Sequence, residues 1–499
     1  MMRLAVKETS ISTGGVLIAV IHCKDAEKLD LHPMDRVKVY NKGKVETVVV
    51  DIARTELIVP EGKIGLHREV AEALGAKNHD LVDIALARKP LSLDYIKKKL
   101  DGHKLGKKEF DQIVWDIVHN KLSEAELTYF VAACYTNSLT NEETVFLTRA
   151  MAEQGDILKL GRYPIMDKHC VGGVAGNRTT MIVVPIIGAA GLTIPKTSSR
   201  SITSPAGTAD TMEVLCNVKL SLNQMKAVVN KIGCCIVWGG SLNLAPADDK
   251  IIKVERPLSI DAESQLIASI ISKKLSVSST HILLDIPCGK GAKVKDKKSA
   301  EILKTHFEYL AAKLKLKVRV LITNGSQPVG NGIGPSLEAR DVLWILRNDS
   351  RGPQDLREKS LLIAGNLLEM GKKAGKGKGY NLAKEILDSG KAYEKMTQII
   401  RHQGKKTELP EQIRIGECIF KIKAQKSGRV SRIDNEAVTK LARVAGAPAA
   451  QSAGLYLHKH VNDKVSRGEP LVTVYSQCDE KLKYARDIAK ILSIMEIEK

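Results

Sequence analysis

Residues 168–215 read KHCVGGVAGNRTTMIVVPIIGAAGLTIPKTSSRSITSPAGTADTMEVL, and the fold is decided there. Two turns rich in glycine and hydroxyl groups each run into a helical pattern. The first, Lys168 to Asn177, precedes an apolar helix expected to start at Thr179 or Thr180 and to stop at Gly191, a good left-handed cap. The second, Thr197 to Ser204, precedes a helix whose start the Ser204-Pro205 pair predicts, serine as N-cap and proline as first helical residue. Pro185 predicts a kink in the first helix. Helix starts carry unpaired amides and the positive end of the dipole. Glycine admits close backbone approach, hydroxyls add donors, and Lys168 and Arg200 add full charge. Two such turns in one stretch point to a phosphate pocket.

The rest of the chain fits around that pocket. Residues 1–88 are β-rich, with short β-branched runs at Gly15–Val20, Arg36–Tyr40 and Thr47–Asp51 and a hairpin turn at Asn41–Lys44. They carry no catalytic constellation and read as an oligomerisation or lid module. Residues 89–160 are helical, completed by about 255–275. Phe110, Ile113, Val114 and Ile117 follow helical spacing, and Ser123–Glu126 and Thr140–Glu143 are capping boxes. Residues 161–408 alternate strand and helix. Cys234–Trp238, His281–Ile286 and Val318–Thr323 are apolar strands that end in turns, one of them the glycine- and lysine-bearing Pro287–Lys293. Such alternation implies a parallel or mixed sheet covered by helices, with ligands at the carboxyl ends of the strands. Short strands return in 409–499, giving a C-terminal α+β portion. The fold class is therefore α/β: a helical domain and a large mixed-sheet α/β domain, with the N-terminal and C-terminal additions.

Composition narrows the function. No apolar run reaches the ~20 residues of a membrane helix, and the N-terminal MMRLAVKETS lacks a secretory core, so a cytoplasmic protein without membrane association is expected. The nine cysteines show no CxxC spacing, so neither a structural metal nor a disulfide framework is expected. The formal charge of +20 admits a nucleic-acid-binding protein, but the lysines are scattered and aromatics make up only 4%, fewer than a single-strand stacking platform wants; attraction of anionic substrates, or a generally solvated basic surface, fits as well.

Several motifs together, KHCVGGVAGN, IPKTSSRSIT…GTADTMEVL, SLNLAPADDKI, ASIISKKL and TNGSQPVGNGIG, resemble the thymidine/pyrimidine-nucleoside phosphorylase family. The added N-terminal unit and the SSRSIT wording resemble its AMP phosphorylase branch. The resemblance implies a helical domain facing an α/β domain across a cleft, in a homodimer or larger homo-oligomer. It implies that AMP, with CMP and UMP as further substrates, reacts with phosphate to give free base and ribose 1,5-bisphosphate. Inorganic phosphate is then a co-substrate, and no cofactor or metal is expected. By that pattern Lys168, Ser198 and Thr208 hold inorganic phosphate. Gly173, Ser199, Arg200, Ser201, Ile202, Thr203, Ser204, Thr208, Ser269 and Lys293 contact the nucleotide, and Asp261 is the proton donor. His169 and Lys273 match base-site positions. Lys293 and Arg200 are the candidates for a second phosphate pocket. Two positions depart from the pattern: Cys170 stands where serine is usual, and Pro205 where a small residue is usual. A nucleoside phosphorylase acting on thymidine is the alternative within the family.

Overall fold

The computed structural model describes residues 1–14, 16–201, 204–255 and 262–498. It divides into two compact units, Met1–Gln154 with Ala245–Ser269, and Gly155–Leu244 with Ile270–Lys499.

In the first unit, six strands close into a barrel: β1 (Met2–Glu8), β2 (Ile18–His22), β3 (Arg36–Asn41), β4 (Lys44–Ala53), β5 (Lys63–Leu66) and β6 (Leu81–Leu86), in the order β1-β5-β2-β4-β3-β6. Closure leaves no open sheet edge. Period-two alternation fills the interior. Val37 and Val39 are fully buried while Lys38, between them, is exposed, and Val48, Val50, Ile64 and Ile84 point inward beside them. β3 and β4 are joined by a two-residue turn whose Lys42 and Gly43 have φ of 46° and 84°, the paired left-handed conformation that matches the strand twist. Two short helices, α1 (Cys23–Glu27) and α2 (Arg68–Leu74), pack on the barrel.

Four helices follow: α3 (Ser92–Leu100), α4 (Lys107–Val118), α5 (Glu124–Thr136) and α6 (Asn141–Glu153). Both anticipated capping boxes form, Ser123 with Glu126 and Thr140 with Glu143. Phe110, Ile113, Val114 and Phe130 make their shared core. Glu143 also accepts from Lys99 Nζ at 3.0 Å and from the Leu105 amide at 2.9 Å, so this buried carboxylate is fully answered.

The second unit is built on parallel strands. β7 (Met166–Cys170) lies beside β10 (His281–Cys288), which lies beside β11 (Lys317–Asn324); β8 (Ile194–Ser198) pairs with β9 (Cys234–Trp238). A parallel bridge between Ile165 and Thr193 brings the two sheets side by side. The near-continuous burial of β10 is what a parallel strand covered on both faces requires. The helix α7 (Thr180–Ala189) is buried from Thr180 to Gly188 and runs through Pro185; Gly191 after it has φ 76°. Residues 418–498 form two antiparallel sheets with the helices Asn435–Val444 and Asp479–Ile491. Their core includes Ala175 and Ile333, so the C-terminal portion packs directly on the first glycine turn.

One expectation is corrected. The second helix, α8 (Thr208–Leu215), starts at Thr208 with Gly207 as N-cap, not at Pro205 with Ser204. The Asp210 carboxylate accepts from the amides of Gly207 at 2.9 Å and Ser201 at 2.7 Å, which satisfies the helix start from within and leaves Ser204-Pro205 in the approach turn. Among the described residues no helix is long and apolar enough to cross a membrane.

Because Phe110 has no solvent exposure at the centre of the helical core, Phe110→Ala is expected to lower stability by about 3–5 kcal/mol, read as a fall in the denaturant midpoint with far-UV circular dichroism.

Candidate active site

β7 delivers Lys168 to the start of α7. Its side chain is 1% exposed, and Nζ donates to Thr179 Oγ1 at 2.7 Å and Thr180 Oγ1 at 3.4 Å. Burial pushes this ammonium below the ordinary lysine range, while Asp285 pulls it back. The turn between strand and helix needs its glycines. Gly173 has φ 88°, and a Cβ there would sit 2.2 Å from the amide nitrogen of Lys293; a Cβ on Gly176, φ 71°, would sit 2.4 Å from the Val329 carbonyl oxygen. Gly173 therefore clasps the first turn against the Gly289–Lys293 turn that follows β10, and Lys293 is exposed at that junction.

Arg178, which sequence reasoning passed over, joins the two turns. Its Nη1 donates to Thr208 Oγ1 at 3.1 Å and its Nη2 to the Ala206 carbonyl at 2.9 Å, while Nε pairs with the fully buried Glu338. Glu338 also accepts from Thr211 Oγ1 at 3.0 Å and the Gly334 amide at 3.1 Å. Its neighbour in sequence, Thr179, holds Lys168, so the Arg178-Thr179 pair places Lys168 and Thr208 at the two ends of one short segment. The only advance signal was position: an arginine at the end of the first glycine turn, one residue before the helix.

The second turn packs against the start of α8. Ser198 ends β8 and donates through Oγ to the Val237 carbonyl at 3.2 Å; the Ser199 carbonyl accepts from the Ala209 amide at 3.3 Å. Ser204 Oγ donates to the Ala206 carbonyl at 3.1 Å, and Ser201 Oγ donates to the Ser204 carbonyl. Arg200 is matched by carboxylates: Nη1 to Asp210 at 3.0 Å and Nη2 to Glu213 at 2.7 Å, with its guanidinium 4.9 Å from the Trp238 ring. The bonds to Glu213, with those to Asp210, hold its pKa above the usual arginine value. Arg200 thus braces the turn with its charge already answered. Of the other expected residues, Ser269 lies on the helix Glu263–Ser276, in the first unit. Ile202, Thr203 and Asp261 lie outside the described residues.

The backbone contributes less at these helix starts than their glycine content suggests. The Met181 and Ile182 amides of α7 already close onto the carbonyls of Arg178 and Thr179 at 3.1 Å, and the Asp210 carboxylate stands over the start of α8. What the site offers an anion is chiefly the Lys168 ammonium, the Arg178 guanidinium and the hydroxyls of Thr179, Thr180, Ser198 and Thr208.

A second buried cluster lies behind β7. Asp167 accepts from Lys274 at 3.0 Å and Ser279 Oγ at 3.2 Å, with Lys196 at 3.8 Å. Burial, then Lys274, pushes Lys196 down to about 7. The His169 imidazole is held well below its ordinary value, first by burial and then by Lys274, Lys196, Lys168 and Lys273, so it is neutral at neutral pH. On the other side of β7, Asp285 receives Thr323 Oγ1 at 2.6 Å and pairs with Lys359 at 3.3 Å; against the effect of burial, Lys359 and Lys168 keep it ionised.

The sequence matches the model of the glycosyl transferase family a/b domain over residues 162–393, that of the same family's helical bundle domain over 93–155, and that of the pyrimidine nucleoside phosphorylase C-terminal domain over 429–495. An AMP phosphorylase of Pyrococcus furiosus is 48% identical over 498 residues, 100% of this chain and 98% of the relative. One from Methanocaldococcus jannaschii is 43% identical, covering 96% and 95%. A Legionella pneumophila protein with a provisional thymidine phosphorylase name is 45% identical, covering 88% and 84%. The fold is shared with the crystal structure of anthranilate phosphoribosyltransferase from Thermus thermophilus, at TM-score 0.52 and 17% identity over 62% of this chain and 99% of that one. With such identity along the whole chain, and family domains matched in the same order, the chain belongs to the AMP phosphorylase branch of the thymidine/pyrimidine-nucleoside phosphorylase family.

Proposed function

We propose that the chain is a pentosyltransferase that phosphorolyses AMP, and also CMP and UMP, to free base and ribose 1,5-bisphosphate. The observation that carries the reading is the buried Lys168 ammonium, held by the Thr179 and Thr180 hydroxyls beside the Arg178–Thr208 bond. The full-length similarity to AMP phosphorylases supports the choice of a nucleotide over a nucleoside.

Breaking an N-glycosidic bond builds positive charge on the sugar and negative charge on the departing base. A phosphate oxygen forms a bond to C1′ as the C1′–N bond breaks, so the protein must present the anion without quenching it. Lys168, Thr208 and Ser198 do this from fixed positions, which removes most of the entropy of bringing nucleophile and sugar together. The leaving base takes a proton. A neutral His169 has one N–H to donate in a hydrogen bond to the base. Asp261 stays the proposed donor on the resemblance. General acid assistance of this kind is worth about 10²–10⁴-fold.

The 5′-phosphate is assigned to Lys293 and the neighbouring backbone of the glycine turns. Because Gly173 abuts the Lys293 amide, the turn that binds inorganic phosphate and the one that binds the 5′-phosphate are set against each other. Binding energy from the remote phosphate is then available to hold C1′ over the nucleophile.

Thymidine phosphorolysis is the second reading, favoured by the Legionella relative's name and by the pyrimidine-type C-terminal domain. Incubation with phosphate and either AMP or thymidine decides between them: free adenine and a doubly phosphorylated ribose are expected from AMP, and no adenine when phosphate is left out. Lys168→Met is expected to lower kcat by about 10²–10³-fold, measured as adenine release at saturating AMP. Lys293→Ala is expected to reduce kcat/KM for AMP by about 10–100-fold, the loss of one charge-assisted hydrogen bond, while turnover of adenosine changes little; equal losses on the two substrates would refute the assignment.

A further inference from the structure

The first unit contains a cavity of about 370 Å³ that shares no residue with the site above. The outer face of the barrel makes one wall. Lys38 and Tyr40 alternate with the buried Val37 and Val39 along β3, so they face outward, and Thr47 on β4 is the cross-strand partner of Lys38. Arg36, on the same face, reaches the capping-box carboxylate of Glu126 and ties the barrel to α5. The opposite wall is α4, where Gln112 and Asp116 lie four residues apart on one face. The segment from Leu86 to Leu91 closes the side. Leu86 and Leu91 are 60% and 61% exposed, an apolar lining with nothing over it.

Polar groups that line this cavity lack hydrogen-bond or ion-pair partners. Asp116 is 1% exposed, and its Oδ2 is buried with no hydrogen-bond partner. The equally buried Glu143 of the same bundle, by contrast, takes up Lys99 and two backbone amides. A buried acceptor left without a donor is unfavourable unless a water or a ligand completes it. The lining also carries cations. Lys38 and Arg88 are exposed, the Lys121 ammonium lies 4.0 Å from the centroid of the Trp115 ring, and among the described residues no carboxylate pairs with any of the three.

An occupant must therefore carry an anion, a hydrogen-bond donor and, between them, a body that covers apolar and aromatic side chains. The volume is in the range of small-molecule sites, about 300–1,000 Å³. Inorganic phosphate alone would leave Asp116 Oδ2 without a donor, and a polyamine would leave the cations unmatched. We propose that this cavity binds a nucleotide whose base bears an exocyclic amine, with the phosphate toward Lys38 and Arg88 and the amine donating to Asp116. The site is separate from the reaction and does not rest on it.

The test is titration calorimetry with AMP in phosphate-free buffer, counting AMP bound per chain for the full-length protein, Asp116→Leu and Lys38→Ala/Arg88→Ala. Both variants are expected to bind one AMP fewer than the parent. Asp116→Leu is expected to melt no lower than the parent, since it removes an unpaired buried carboxylate; should it not fold, Asp116→Ala, which also lacks the acceptor, replaces it. At the site so identified, adenosine and inorganic phosphate are each expected to bind at least tenfold more weakly than AMP. An unchanged count in either variant, or adenosine binding there as tightly as AMP, would overturn the proposal.

Discussion

The second unit depends on keeping basic side chains charged where there is almost no water. Lys168, Arg178, Lys196 and Lys274 are all buried, and Lys359 is nearly so. Isolated, each would carry a desolvation penalty of several kcal/mol. Asp167, Asp285 and Glu338 answer them, each itself buried and each held by further hydrogen bonds. The basic groups still outnumber the carboxylates. That imbalance is resolved in part by Lys196, whose pKa is pushed down to about 7, and in part by leaving the site short of negative charge. An anion among Lys168, Arg178 and Thr208, as proposed for phosphate, would supply the missing negative charge.

The same balance explains which parts of the site were legible in the sequence. Strands β9 and β10 are largely apolar runs, as a parallel strand buried on both faces requires. The capping boxes of α5 and α6 and the Lys42-Gly43 turn are local chemistry, so four residues sufficed for each. The place of Lys168 beside the glycine turn was legible because strand end and turn are adjacent in the chain. Arg178 was not, because its meaning lies in partners 30 and 160 positions away, Thr208 and Glu338.

The start of α8 shows how a strong local signal loses. Ser-Pro is a good helix opening, yet Asp210, at the third helical position, reaches back to Gly207 and Ser201 and also receives Arg200. Three interactions with one carboxylate outweigh the preorganised φ of a proline. The spacing of Asp210 and Glu213, three residues apart on one helix face, also takes up Arg200. The charge that marked Arg200 in the sequence as an anion ligand is thus turned to bracing the loop, while the turn that carries Lys293 is locked to Gly173. The C-terminal portion reinforces that lock. Asn435, 2% exposed, donates to the Gly325 carbonyl at 3.1 Å and packs against Gly291, so a residue 142 positions from Lys293 fixes the turn that carries it.

Cys170 tests whether the site follows charge or hydrogen-bond count. The family pattern places a serine there, and a thiol is a weaker donor. A cysteine beside a lysine and a helix start would ordinarily be a candidate thiolate, which would set a negative charge against the incoming phosphate. The surroundings prevent this. Burial and then Asp285 push the Cys170 thiol up to about 11, despite Lys168 and Lys359. Asn177 Nδ2 donates to its sulfur at 3.3 Å, keeping the side chain turned into the loop. At neutral pH the group is therefore an uncharged, hydrogen-bonded stand-in for a hydroxyl. The substitution removes some donor strength but leaves the sign of the site unchanged, and at a cluster whose charge comes from Lys168 and Arg178, sign is the property that has to be kept.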